Sequence, residues 1–172
     1  MKKMNKAALV AATLAALSSG TAGAVSRSEL SDQFAQSRKA AEHYYDLQAA
    51  LDAGYEPLFD CTTHGDLGAM GQHYINTAFA ADGELSLEKP DVLMYEPQAD
   101  GSMHLVALEY VVFESQWESP APPRFLGRTL ARKDAVGQHP VDPFYEVHVW
   151  HWRHNPAGLT ADYNTDVSCD DG

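Results

Sequence analysis

The chain is poor in cysteine: its 172 residues carry only Cys61 and Cys169, and no CxxC pair is present to build a thiolate metal site. It is also poor in basic residues, with 12 Lys and Arg against 24 Asp and Glu and a formal net charge of −12. Such a surface repels phosphate backbones and anionic lipid, so the composition argues against nucleic-acid and membrane-surface roles. Long apolar runs are wanting too. "AALVAATLAAL" near the N-terminus is 11 residues, too short to cross a bilayer as a helix. A serine nucleophile elbow, a P-loop and a dinucleotide fingerprint are missing, as are the HExxH and H-x-H spacings of common metal sites. No motif names a reaction.

What the N-terminus does have is a basic start, "MKKMNK", then the apolar run, then small residues ending in Ala22-Gly23-Ala24. This order predicts a bacterial secretory signal peptide cleaved after Ala24, with residues 25–172 as a single exported domain in the periplasm or outside the cell. Losing Lys2, Lys3 and Lys6 would take the net charge from −12 to −15, and no membrane-spanning segment would remain. Export also makes a Cys61–Cys169 disulfide the default reading, pinning the C-terminus to the middle of the chain. Two free thiolates acting as metal ligands would instead require a reducing compartment.

A single helix is predicted from about Ser28 to Ala53. Ser26 and Glu29 form a capping box, Leu30, Phe34, Ala41, Tyr44, Leu47 and Leu51 recur at helical spacing, and Gly54 stops it. Beyond Gly54 the chain turns to short Val-, Tyr-, Phe- and Trp-rich runs between Gly, Pro, Asp and Asn clusters. Strands are expected at 71–79, 91–97, 103–114, 124–130 and 144–153, with Asp100-Gly101 in a hairpin turn. The expected fold class is α+β, an N-terminal helix followed by a curved antiparallel sheet or small barrel.

Three residues draw attention. Glu109 sits in "LVALEYVVF", a strand apolar on both faces, with Leu105, Ala107, Val111 and Phe113 expected on its side. A carboxylate there must be protonated, paired or bound to a cation. In "YEVHVWHWRHNP", strand alternation sets Glu146, His148, Trp150 and Trp152 on one face and Tyr145, Val147, Val149 and His151 on the other. The three histidines therefore do not form a comb, and His148 is the one facing a Glu/Trp wall. His73 follows a glycine-rich entrance, "GAMGQH", in which Gly68 and Gly71 permit close backbone approach. His73, Glu109 and His148 together have the chemistry of a two-His-one-carboxylate site for one divalent transition metal: Zn, Cu, Fe or Mn. Met70 or Met94 nearby would tilt the choice toward copper. Without a metal, Glu109 and His148 would be a catalytic acid–base pair beside a small-molecule pocket lined by Tyr74, Asn76, Tyr110, Trp150 and Trp152. A structural exported domain with no site is the third alternative.

The blocks "LDAGYEP…C", "GAMGQHYIN", "KPDVLMYEP", "LVALEYVV" and "YEVHVWHWRHNPAGLTADYNTDVSC", covering residues 40–169, resemble in order a family of uncharacterised secreted bacterial proteins. The shared pattern includes positions matching His73, Tyr74, Asn76, Glu109, Tyr110, His148, Trp150, Trp152, Asn155, Pro156, Cys61 and Cys169. It omits His151 and His154, in agreement with the strand alternation. The resemblance implies export and singles out these residues. It implies no activity and no cofactor.

Overall fold

The computed structural model describes residues 25–170; the expected signal peptide and its cleavage point lie outside the described residues. An N-terminal helical segment is followed by a strongly curled six-stranded antiparallel half-barrel. Helix α1 spans Arg27–Ala41, and Ser26 and Glu29 do form the capping box at its start. The single long helix expected to Ala53 is broken, however. Residues Glu42–Tyr45 tighten into a 3-10 turn, and α2 restarts at Leu47–Asp52 under an Asp46 cap. The break has a hydrogen-bonding cause. The Tyr44 carbonyl accepts the buried Tyr95 hydroxyl at 2.6 Å, and the Asp46 carboxylate accepts the Gln48 N–H at 3.0 Å. Both contacts trade helix ladder for a bend that buries Tyr44.

The strands are β1 (Glu56–Thr63), β2 (Ala69–Ile75), β3 (Val92–Pro97), β4 (Met103–Phe113), β7 (Ala131–Val136) and β8 (His139–Val149), in the order β1-β2-β3-β4-β8-β7. Strand β2 stops short of residue 79 because the Asn76 side chain caps a short helix α3, Thr77–Ala80. The strand expected at 124–130 is not in the sheet. Leu126 and Gly127 take positive φ, folding β5 (Arg124–Phe125) onto β6 (Arg128–Thr129) as a separate small hairpin. Both sheet edges escaped the sequence reading: β1 carries Pro57 and Asp60, and β7 reads "ARKDAV". Edge strands are often polar or proline-bearing, which hides them from a search for apolar runs.

Both faces of the sheet are buried. On one, α1, the 3-10 turn and α2 lay Leu30, Phe34, Ala41, Tyr44 and Ala50 over Leu93, Tyr95, Leu108, Tyr110, Val147 and Val149. The other face carries Met94, Ala107 and Trp150 against Met70 and Val167, and further along Val92, Val111 and Phe144. A register shift between β3 and β4 moves the pairing from Ala107 opposite Met94 to Leu105 opposite Tyr95. It turns Leu105 to the helix face, so Leu105 does not share the Glu109 side as simple alternation predicted.

The tail returns across this second face. Cys169 is bonded to Cys61 of β1, 108 residues away, as the export reading required. Asn164 and Ala69 exchange backbone hydrogen bonds, and a Cβ on Gly68 would stand 2.2 Å from the Asn164 carbonyl oxygen. Only glycine permits that approach, and it brings Asp162 and Tyr163 to the edge of the sheet. Among the described residues no helix is long and apolar enough to cross a membrane.

Candidate metal centre

Glu109 of β4 and His148 of β8 are directly paired across neighbouring strands. His73 of β2 lies two strands from Glu109, with β3 between them. Its cross-strand partner is Met94, whose own partner on the far side is Ala107. The curl of the sheet brings the histidine over this small residue toward the carboxylate. His73 Nε2 is 3.9 Å from Glu109 Oε2, and His148 Nε2 is 4.0 Å from Glu109 Oε1. One ligand atom from each of the three lies within 4.8 Å of the other two. All three side chains are buried.

Around an ion with bonds of about 2.1 Å, ligand atoms stand from about 3.0 Å to about 4.2 Å apart, depending on the angle between them. The Glu109 contacts fall inside that span. Ordinary salt bridges they are not. Burial, followed by the neighbouring His148, holds the His73 imidazole down at about 3 and therefore neutral. Burial, reinforced by the Glu146 carboxylate, pushes Glu109 well above the usual carboxylate range. His73 Nδ1, His148 Nδ1 and His148 Nε2 are the buried side-chain polar atoms without a hydrogen-bond partner among the described residues. Each such group costs about 1–3 kcal/mol. Imidazole nitrogens without a partner, buried beside a carboxyl group, are donors suited to a metal ion.

Behind His148 stands a second group that the sequence did not reveal. His148 Nδ1 faces Asp162 Oδ1 at 3.7 Å and Glu146 Oε1 at 3.9 Å. Lys133 of β7 joins these two acids, its Nζ lying 3.2 Å from Glu146 and 2.5 Å from Asp162. Burial pulls the lysine down, but Asp162 and Glu146 outweigh it and hold the ammonium above its ordinary value. His148 and then Lys133 hold Asp162 below the usual range. Nδ1 thus faces acids while Nε2 faces Glu109 and His73, the polarity that orients a ligating histidine. Glu146 was legible as the residue two before His148 on the same face; Lys133 and Asp162 come from polar edge and loop segments with no periodic signal. Removing the amine by Lys133→Ala leaves a buried acid uncompensated, and we expect a loss of about 2 kcal/mol or more in urea denaturation.

The structure separates the expected pocket residues. Trp150 shares the His148 face, its indole N–H donating to the Ala161 carbonyl at 2.6 Å. Tyr74 and Tyr110 pack on the opposite, helix-covered face. The Asn76 side chain accepts from Ala78 and Phe79 and donates to Ala53, so it is committed to a cap. Trp152 lies beyond the end of β8, where alternation no longer holds, and packs with the helix-side core beneath Arg38. His151 leaves the site as expected, 2.8 Å from Ser37 Oγ, and His154 is exposed.

Two of the three ligand candidates, His73 and Glu109, line a cavity of about 250 Å³ together with Met70, Lys133, Glu146 and Tyr163; His148 lies behind them, buried. A neighbouring buried acid, Asp91, accepts the Val111 N–H at 2.9 Å, and burial pushes it up to about 7. Its unfolded value is near 3.9, so the folded state holds the extra proton between these values. Stability from this group is therefore greatest below pH 4 and falls as pH rises to 7. Asp91→Asn retains the acceptor and should abolish that fall. The difference in unfolding free energy between variant and wild type should grow by on the order of 2–4 kcal/mol from pH 4 to 8. A flat difference would mean that Asp91 ionises normally.

No family model, curated protein or solved structure matches this chain. The chemistry of the site therefore rests on its own geometry.

Proposed function

We propose that this protein, exported as its N-terminal sequence indicates, binds one divalent transition-metal ion through His73, Glu109 and His148. The observation that carries the reading is the gathering of two buried histidines, His148 with neither ring nitrogen hydrogen-bonded, around the buried Glu109 carboxyl group, with one ligand atom of each within 4.8 Å of the others. Two imidazoles and a carboxylate suit Zn, Cu, Fe or Mn as ligands. Met70 lines the same cavity and Met94 is cross-strand partner to His73; a thioether joining the set favours copper. Three protein ligands would leave an ion further coordination positions, and two of these ligands, His73 and Glu109, line the cavity. An ion there can polarise a small molecule bound beside it.

The second reading is metal-free: Glu109, kept protonated by burial, acts as an acid facing His148 Nε2 at 4.0 Å. A titration of metal-stripped protein with Co²⁺, followed by its visible d–d absorption, separates the two. Saturation at one equivalent supports the metal centre, and Glu109→Gln should weaken binding by a factor of 10–100 because an amide replaces the anionic ligand. Absence of d–d bands in the wild type would leave the acid–base reading in place.

A further inference from the structure

Glu109 borders two chambers. Besides the polar cavity, its side chain helps line an apolar one of about 120 Å³ walled by Ile75, Val92, Val111, Val136, Val141 and Phe144. Val136 of β7 also touches both. Strands β1, β2, β3, β4, β7 and β8 all contribute to the apolar wall, so it is the inside of the curled sheet. The position of Glu109 follows from the register: Ile75, Val92, Glu109 and His148 form one row across four strands. The next residue along β4 on this face is Val111. The polar and apolar halves of the interior meet at Glu109.

Resting on the metal-centre reading, we propose that the site takes a small molecule with one compact apolar group in this chamber and a short polar end at His73 and Glu109, beside the ion. The volume limits the apolar group. A protein cavity of about 150 Å³ accommodates benzene, so a phenyl ring or a branched alkyl group of four or five carbons is the upper bound. The charges limit the polar end. Lys133 is paired with Glu146 and Asp162, and Arg132 holds Glu114 at 2.8 Å. Asp134 and Glu146 add negative charge to the polar wall. Among the described residues the polar wall offers no unpaired cationic side chain, so a multiply charged anion would find only the ion itself to neutralise it, whereas a neutral or singly ionised end is accepted.

The test compares acetohydroxamate, benzohydroxamate and 2-naphthohydroxamate, which differ only in the apolar group, on metal-free and zinc-loaded protein. Binding is read from the ¹³C-methyl shifts of Val111, Val136 and Val141. Benzohydroxamate should bind at least tenfold more tightly than acetohydroxamate in both forms, shifting these methyls, while the naphthyl compound is excluded. Val141→Phe, which fills the apolar chamber away from the ligand residues, should erase that advantage. The wild-type ratio decides the matter whether or not this variant folds. Equal affinities for the methyl and phenyl compounds, or shifts confined to other methyls, overturn the proposal even if zinc binds. A persisting phenyl preference in protein that takes up no metal overturns the metal reading and keeps the ligand assignment.

Discussion

Replacing both histidines, His73→Ala with His148→Ala, should abolish stoichiometric metal binding and leave a folded protein whose metal-free stability is close to that of the wild type. Two terms oppose each other. Truncating two buried side chains opens space and removes packing, at a cost of about 2–4 kcal/mol each for buried apolar side chains of comparable size. The same truncation removes three buried nitrogens that have no hydrogen-bond partner, each worth about 1–3 kcal/mol of penalty. The near-cancellation is the signature of residues kept for binding rather than for folding. With one of two imidazole ligands lost the affinity should already fall more than 100-fold; with both lost, Glu109 alone holds no ion. Thermal melts with and without excess Zn²⁺ read both effects. The wild type should gain stability with metal by mass action, and the double variant should gain none. A double variant that melts far below metal-free wild type, in a protein indifferent to zinc, would mark the histidines as structural.

The second large effect concerns Cys61 and Cys169. A Cys61→Ser/Cys169→Ser variant should lose up to about 4.7 kcal/mol, the chain-entropy figure for a closed loop of about 100 residues, here joining positions 108 apart. The loss should reach the site as well. The tail that Cys169 anchors carries Asp162, which faces His148 and Lys133, and Ala161, whose carbonyl receives the Trp150 indole. Metal affinity should therefore fall with stability, by about 10-fold, through loosened orientation of His148. Denaturation in urea gives the first number and competition with a chelator the second. An unchanged metal affinity in the serine variant would show that the tail serves stability alone.

Much of this was legible in residues of strict alternation. The period of two separated His148 from His151, and placed Glu146 and Trp150 beside His148, because β8 runs unbroken to Val149. The same rule already sets Tyr74 opposite to His73 and Tyr110 opposite to Glu109, and the structure seats both tyrosines on the helix side. Alternation failed at the shift that turned Leu105 away and past the end of β8, at Trp152. Neither irregularity has a local sequence signal. The convergence of His73 with Glu109 depends on the curl of the whole sheet. Lys133 was hidden for a different reason: it lies on a polar edge strand whose pattern resembles a loop. Asp162 is held in place by the backbone pairing of Ala69 with Asn164, a contact spanning most of the domain.

The most direct measurement is elemental analysis of the mature protein, purified without a histidine tag and then reconstituted separately with Zn, Cu, Fe and Mn. Close to one ion per chain, lost when His73 and His148 are replaced in a still-folded protein, is the expected result, and it would name the metal. No bound ion before or after reconstitution with any of the four would contradict the metal centre and leave Glu109 and His148 as a buried acid–base pair.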